Sequence, residues 1–216
     1  MKINKIMCLL SVVILLLLIS GCNNTENLGS NVEVLDSKIN YIVINNKKIY
    51  LTKNFKDFTL QFKGLGCLVK GENQSEKEID TIDENDPTLI ESARTNDITC
   101  YNSDERNYVD IRMHTYTEDQ GDINEIYWWH FSSTRGLFDL HINNKTLFFG
   151  TEDRIPSTAS DLINVMGNKY EEEPGSFSDT IYYNYIEGRL EYKFRIDKDD
   201  ESLKAFNLSI SPPFKP

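Results

Sequence analysis

Tyr108-Val109-Asp110-Ile111-Arg112-Met113-His114-Thr115-Tyr116 alternates in character without a break. Successive side chains of a strand point to opposite faces, so Val109, Ile111, Met113 and Thr115 share one side and Tyr108, Asp110, Arg112, His114 and Tyr116 the other. That pattern predicts a half-buried strand in an antiparallel sheet. Glu118-Asp119-Gln120-Gly121-Asp122 supplies turn residues, after which 123–132 reads as the returning strand. Downstream, 180–186 turns through Glu187-Gly188-Arg189 into 190–196, and Asp197-Lys198-Asp199-Asp200-Glu201 leads into 203–210. Within 190–196, Leu190, Tyr192, Phe194 and Ile196 should face inward and Glu191, Lys193 and Arg195 should face water.

Two stretches carry a helical period instead. Phe55, Phe58 and Phe62 recur at i, i+3 and i+7, and Ala159, Leu162, Ile163 and Met166 at i, i+3, i+4 and i+7. Thr158 and Asp161 match a capping box with the shorter acid, Pro156 cannot extend the helix backward, and Gly64 and Gly167 stand where a left-handed C-terminal cap is wanted. Helices over 52–62 and 158–166 are too short to persist alone, so each should lie against a sheet. Each follows an apolar run, Lys48-Ile49-Tyr50-Leu51 in one case and Lys145-Thr146-Leu147-Phe148-Phe149 in the other, and each precedes strands. The expected fold is α+β: two helix-plus-antiparallel-meander repeats, 38–142 and 143–216, with the helices packed on one face of the sheet.

At the other end of the chain, Lys2 and Lys5 precede an apolar run over 6–19, shorter than the roughly 20 residues of a membrane-spanning helix. Leu18-Ile19-Ser20-Gly21-Cys22 closes it. The pentad resembles the lipobox of bacterial lipoproteins. That resemblance implies a signal peptide over 1–21, a diacylglyceryl thioether and palmitate-class acylation at Cys22, and a mature protein held in the cell membrane on its extracytoplasmic side, at the cell surface in a Gram-positive organism. Two acyl chains make such attachment stable. The polar stretch 22–37 reads as a tether.

The whole chain carries a net charge of −11, and loss of Lys2 and Lys5 with the leader makes the mature protein more negative still. No cluster of Lys and Arg has the density that phosphate binding requires, which excludes nucleic acid as a partner. Of four cysteines, Cys8 leaves with the leader and Cys22 takes lipid; Cys67 and Cys100 remain for an expected disulfide. They enclose an acidic insertion at about 68–99, in which Glu72, Glu76, Glu78, Asp80, Asp83, Glu84, Asp86, Glu91 and Asp97 face only Lys70, Lys77 and Arg94. So hydrophilic a segment is expected to bury little surface.

The layout is similar to that of the beta-lactamase inhibitor protein and the small outer-membrane assembly lipoproteins, through Asp57-Phe58 to Gly64 or Gly66 in the first half and Asp161-Leu162 to Gly167 in the second. The acidic insertion departs from that pattern. The resemblance implies a protein that binds other proteins and does not catalyse.

Tyr127-Trp128-Trp129-His130-Phe131 places aromatics on both sides of one strand. With Tyr127, Trp129 and Phe131 packed inward, Trp128 and His130 join Tyr108, Arg112, His114 and Tyr116 on the open face. Aromatics with Arg are what interface centres are made of. Chemical signatures point elsewhere less well. His114, His130 and His141 lie in no His-Glu-x-x-His arrangement, and neither a Gly-x-Ser-x-Gly elbow nor a phosphate-cradling glycine loop occurs, so no catalytic residue, metal or cofactor is assigned. Asp197, Asp199, Asp200 and Glu201 lack the central glycine of a calcium loop, and Glu171-Glu172-Glu173-Pro174 reads as a solvated loop. The expectation is a lipid-anchored, non-enzymatic protein that binds another protein or an envelope component. A small-molecule or carbohydrate binder comes second, and a cell-surface hydrolase third.

Overall fold

The computed structural model describes residues 32–72, 74–83, 85–86, 95–101, 108–117, 121–133, 138–149, 155–175 and 177–211. The expected signal peptide over 1–21, the lipidation site Cys22 and most of the expected tether lie outside the described residues. Among the described residues no helix is long and apolar enough to cross a membrane.

Among the described residues the architecture is predominantly antiparallel β with two short α-helices. Strands β1 (Ile39–Ile44), β2 (Lys47–Ile49), β8 (Phe138–Ile142) and β9 (Lys145–Phe149) form a four-stranded sheet in the order β2-β1-β8-β9. A nine-stranded sheet takes β3 (Cys67–Gly71), β4 (Lys77–Glu78), β5 (Thr95–Tyr101), β6 (Tyr108–Thr115), β7 (Ile126–Ser133), β10 (Glu171–Pro174), β11 (Thr180–Glu187), β12 (Leu190–Asp197) and β13 (Leu203–Ile210). Its order is β10-β11-β12-β13-β7-β6-β5-β3-β4, so β7 is the middle strand. Helices α1 (Phe55–Leu60) and α2 (Ala159–Met166) follow β2 and β9.

Both hairpins of the small sheet turn on paired asparagines. Asn45 and Asn46 have φ of 48° and 64°, and Asn143 and Asn144 of 48° and 62°. Asparagine tolerates this left-handed region better than other side-chain-bearing residues, and two such residues in a row give the tight turn that matches strand twist. The helix ends are local chemistry too. The Asn54 side chain accepts from the Asp57 amide, and Thr158 and Asp161 form the reciprocal capping box expected from the sequence. Gly167 caps α2 with φ of 93° and ψ of 177°, a glycine conformation other than the left-handed helical cap expected, whereas α1 ends on Gln61 in ordinary helical geometry, before Gly64 at φ of 81°.

One core joins both sheets and both helices. Phe55, Phe58, Phe62, Trp129, Phe131, Phe138, Phe149, Tyr192, Phe194 and Phe206 are fully buried in it. Each such ring contributes about 1.5–3 kcal/mol by leaving water, which is why helices this short hold their place. Among the described residues, packing reaches upstream of the expected start at 38 and runs across 142/143. Leu35 is buried and its amide donates to the Leu51 carbonyl at 2.7 Å, upstream of Lys38. Position 142/143 is the turn of the β8–β9 hairpin, whose strand β8 pairs with β1 from the first half.

Cys67 and Cys100 lie directly opposite one another on β3 and β5 and are disulfide-bonded, as expected. The insertion they enclose is less detached than its charge suggested: Ile79 and Ile82 are buried in the main core and β4 adds to the sheet edge. Residues 171–174 are a strand, not a solvated loop, because Glu171–Pro174 pairs with β11.

Among the described residues no sheet edge presents a long free backbone. β10 is acidic and carries Pro174, and β4 has two residues. Beyond β2, the Gln61 side chain donates to the Tyr50 carbonyl and accepts from the Tyr50 amide, while on β9 Ser157 occupies both backbone groups of Phe148.

Candidate functional site

The register of the nine-stranded sheet sorts its side chains into two faces. Ile98, Ile111, Phe131, Phe206 and Phe194 line up on the inner one. The outer face carries three ladders that run from strand to strand. One is Tyr182, Arg195, Ala205, Ser132, Asp110 and Thr99; the next is Asn184, Lys193, Asn207, His130, Arg112 and Asp97; the third is Ile186, Glu191, Ser209, Trp128, His114 and Thr95. Trp128 and His130 therefore stand at the middle of an extended surface.

Four of the six expected face residues meet there. Trp128 lies 4.6 Å from the His114 ring and 5.8 Å from the His130 ring, its plane within 8° of the latter. Arg112 stands across from His130, and its Nε donates to Asp97 at 2.8 Å. Tyr116 does not join them. Tyr116 follows the end of β6 and is only 7% exposed, its ring 4.9 Å from Tyr127 and packed against Gly121 of the following loop. A bulge in β7, with Tyr127 as the extra residue between the His114–Trp128 and Thr115–Ile126 pairs, makes Tyr127 half-buried rather than a core residue, with its ring 6.2 Å from His114. Tyr108 pairs with Tyr101 along the backbone, and its side chain lies outside the described residues.

Burial lowers the pKa of both His130 and His114, and the neighbouring Arg112 lowers His114 further. The rings are therefore neutral at physiological pH. Asn207 Oδ1 faces His130 Nδ1 at hydrogen-bond distance, an acceptor that requires the ring proton on Nδ1 and leaves Nε2 to accept. His114 and His130 stand diagonally, with Trp128 between them, so they do not converge on a metal. Among the described residues no group of three His, Cys, Asp or Glu could hold one. The acidic hairpin after β12 spends its carboxylates internally. Asp197 accepts from the Asp199 amide, and Asp200 from the Ser202 amide and hydroxyl, which holds the Asp200 carboxyl below its usual pKa.

Two shallow depressions flank the central ridge. That on the β6 side, about 230 Å³, is lined by Lys70, Glu76, Asp97, Asp110 and Arg112. Burial and the nearby Asp97 raise the Asp110 carboxyl. That on the β13 side, about 380 Å³, is lined by Trp128, Tyr182, Glu191, Lys193, Asn207 and Ser209. Its polar groups are held in place: Glu191 accepts from Asn184 Nδ2 at 2.9 Å and Ser209 Oγ at 3.0 Å, while Lys193 pairs with Glu173 and lies 5.0 Å from the Tyr182 ring centroid. The Lys193 pairing keeps the Glu173 carboxyl below its usual pKa. None of these second-depression residues except Trp128 was marked by sequence. Alternation said of Glu191 and Lys193 only that they face water, and the pairing of β13 with β7 that brings these residues to Trp128 is non-local.

No family model matches the chain, and no curated protein matches it. Among solved structures it is similar to a DUF4309 family protein (YjgB) from Bacillus subtilis, at 19% identity and a TM-score of 0.33, over 51% of this chain and 61% of that one. The chain thus spans less than two thirds of that neighbour's length. A likeness this loose leaves the site to be read from its own geometry.

Proposed function

We propose that this is an exported, lipid-anchored, non-enzymatic protein whose outer sheet face binds another protein or an envelope component. The observation that carries the reading is the contiguous group Arg112, His114, Trp128 and His130 at the centre of the nine-stranded sheet. Aromatic and guanidinium groups on a rigid sheet lose little freedom on binding, which favours them as interface anchors. The lipobox-like Leu18-Cys22 pentad supports the anchored, extracytoplasmic part, and the buried disulfide agrees with an oxidising compartment. A second reading, capture of a small molecule or carbohydrate, is favoured by the depression between Trp128 and Tyr182.

The architecture also fits two related units. Ile44-Asn45-Asn46-Lys47 and Ile142-Asn143-Asn144-Lys145 make the two hairpins, each hairpin precedes a helix, and each helix precedes an antiparallel meander. The strand order then places β7 against β13 and β1 against β8, like with like. On this reading the two helix-plus-meander repeats share both sheets, and the binding face straddles their junction.

Cross-linking in intact cells followed by detergent extraction tests the function. Partner capture should fall with Trp128→Ala and with Arg112→Ala while circular dichroism stays native, and Cys22→Ala should release the chain from membranes. Full capture by both face variants would sink the reading.

A further inference from the structure

We infer that the depression between Trp128 and Tyr182 binds an uncharged, hydroxyl-rich oligosaccharide, an inference that rests on the outer face being the working surface. Trp128 stands on β7 and Tyr182 on β11, three strand spacings apart across the sheet, roughly 14 Å, and two ladders apart along it. That span exceeds one sugar ring. The floor between them offers both kinds of hydrogen-bonding group in fixed positions. Each Glu191 oxygen already accepts one bond, from Asn184 or Ser209, and keeps a second lone pair for a ligand hydroxyl. Asn207 gives its carbonyl to His130, which leaves its amide hydrogens as donors without a partner among the described residues. Lys193 has further ammonium hydrogens beyond the one directed at Glu173. A carboxylate and an amide held by neighbours can meet adjacent hydroxyls without reorganising, while the indole supplies an apolar platform for the C–H side of a ring.

Charge selects against an anionic ligand. Lys193 is neutralised by Glu173, and no cation pairs with Glu191 among the described residues. The depression is therefore net negative inside an acidic protein, and a phosphate- or uronate-bearing polymer would meet repulsion there.

The test uses the full chain and intrinsic fluorescence. Of the two tryptophans, Trp129 is sealed in the core, so a ligand-dependent change reports Trp128. Cellotetraose and chitotetraose are the neutral probes, with a uronic-acid tetrasaccharide as the anionic comparison. Saturable binding of a neutral probe is expected, weakened about tenfold or more by Trp128→Ala and by Glu191→Gln and unchanged by Lys70→Ala, which lines the other depression. Preference for the uronic-acid probe, binding indifferent to both Trp128→Ala and Glu191→Gln, or no saturation by either neutral probe would overturn the inference. If cross-linked capture of a protein still depends on Trp128 and Arg112 while neither neutral probe binds, this inference alone fails and the broader reading stands.

Discussion

Trp129 and Trp128 are neighbours on β7 with opposite surroundings. Trp129 is sealed between Met113 and Leu208 on the inner face, whereas Trp128 sits half-buried between His114 and Ser209 on the outer one. The inner face is nearly all hydrocarbon and aromatic ring, so its energetics are those of burial. The outer face holds ring stacks, ion pairs and neutral histidines with water beside them, so removing one side chain changes recognition more than stability.

The largest expected break in this comparison is Phe194→Ala. Phe194 packs 5.0 Å from Phe206 and 6.1 Å from Tyr185, and truncating a fully buried ring costs about 3–5 kcal/mol, read as a fall in denaturant midpoint at unchanged slope. Next comes the disulfide. Replacing Cys67 and Cys100 together by serine frees a loop spanning 33 residues and should cost about 3–4 kcal/mol in the same measurement. Thr158→Ala, which removes the hydroxyl half of the α2 capping box and leaves the residue-158 amide donating to Asp161, should cost about 1 kcal/mol. Trp128→Ala should stay within about 0.5–1 kcal/mol of wild type, although it removes as large a ring as any core variant. A loss comparable with Phe194→Ala would erase the distinction between the faces.

Acid sharpens the comparison more gently. His114, His130 and His141 all have pKa values lowered by burial, so below about pH 6.5 unfolded chains take up protons that folded ones refuse. Their contribution is fully present above pH 6.5 and is lost as pH falls from there through the folded values. Denaturant midpoints should decline between pH 7.5 and 5.5, and His130→Gln should flatten part of that slope. Asp110, raised by burial, acts in the opposite direction but only in the carboxylate range.

Much of the fold was legible because it is locally encoded. Alternation over 108–115 and 190–197, the helical stripes of Phe55, Phe58 and Phe62, and the Thr158–Asp161 cap each follow from a few adjacent residues. The hairpins of the small sheet carried an equally local signal, the Asn-Asn pairs at 45–46 and 143–144, which periodicity alone passes over. Tyr127 was misplaced because a one-residue bulge in β7 shifts it off the inner face, and no residue type announces a bulge; Tyr116 is covered because the loop after β6 brings Gly121 onto its ring. The site was half legible for a different reason. Arg112, His114, Trp128 and His130 come from strands joined by one turn, whereas Glu191, Lys193, Asn207 and Ser209 reach Trp128 only through a pairing across the two halves of the chain.

The blunted borders of both sheets bear on how such molecules live side by side. A second copy meets proline and three acids at one end of the large sheet, a two-residue stub at the other, and side-chain amide or hydroxyl plugs on the small sheet. Among the described residues, crowding therefore meets no template for ribbon growth from one molecule to the next.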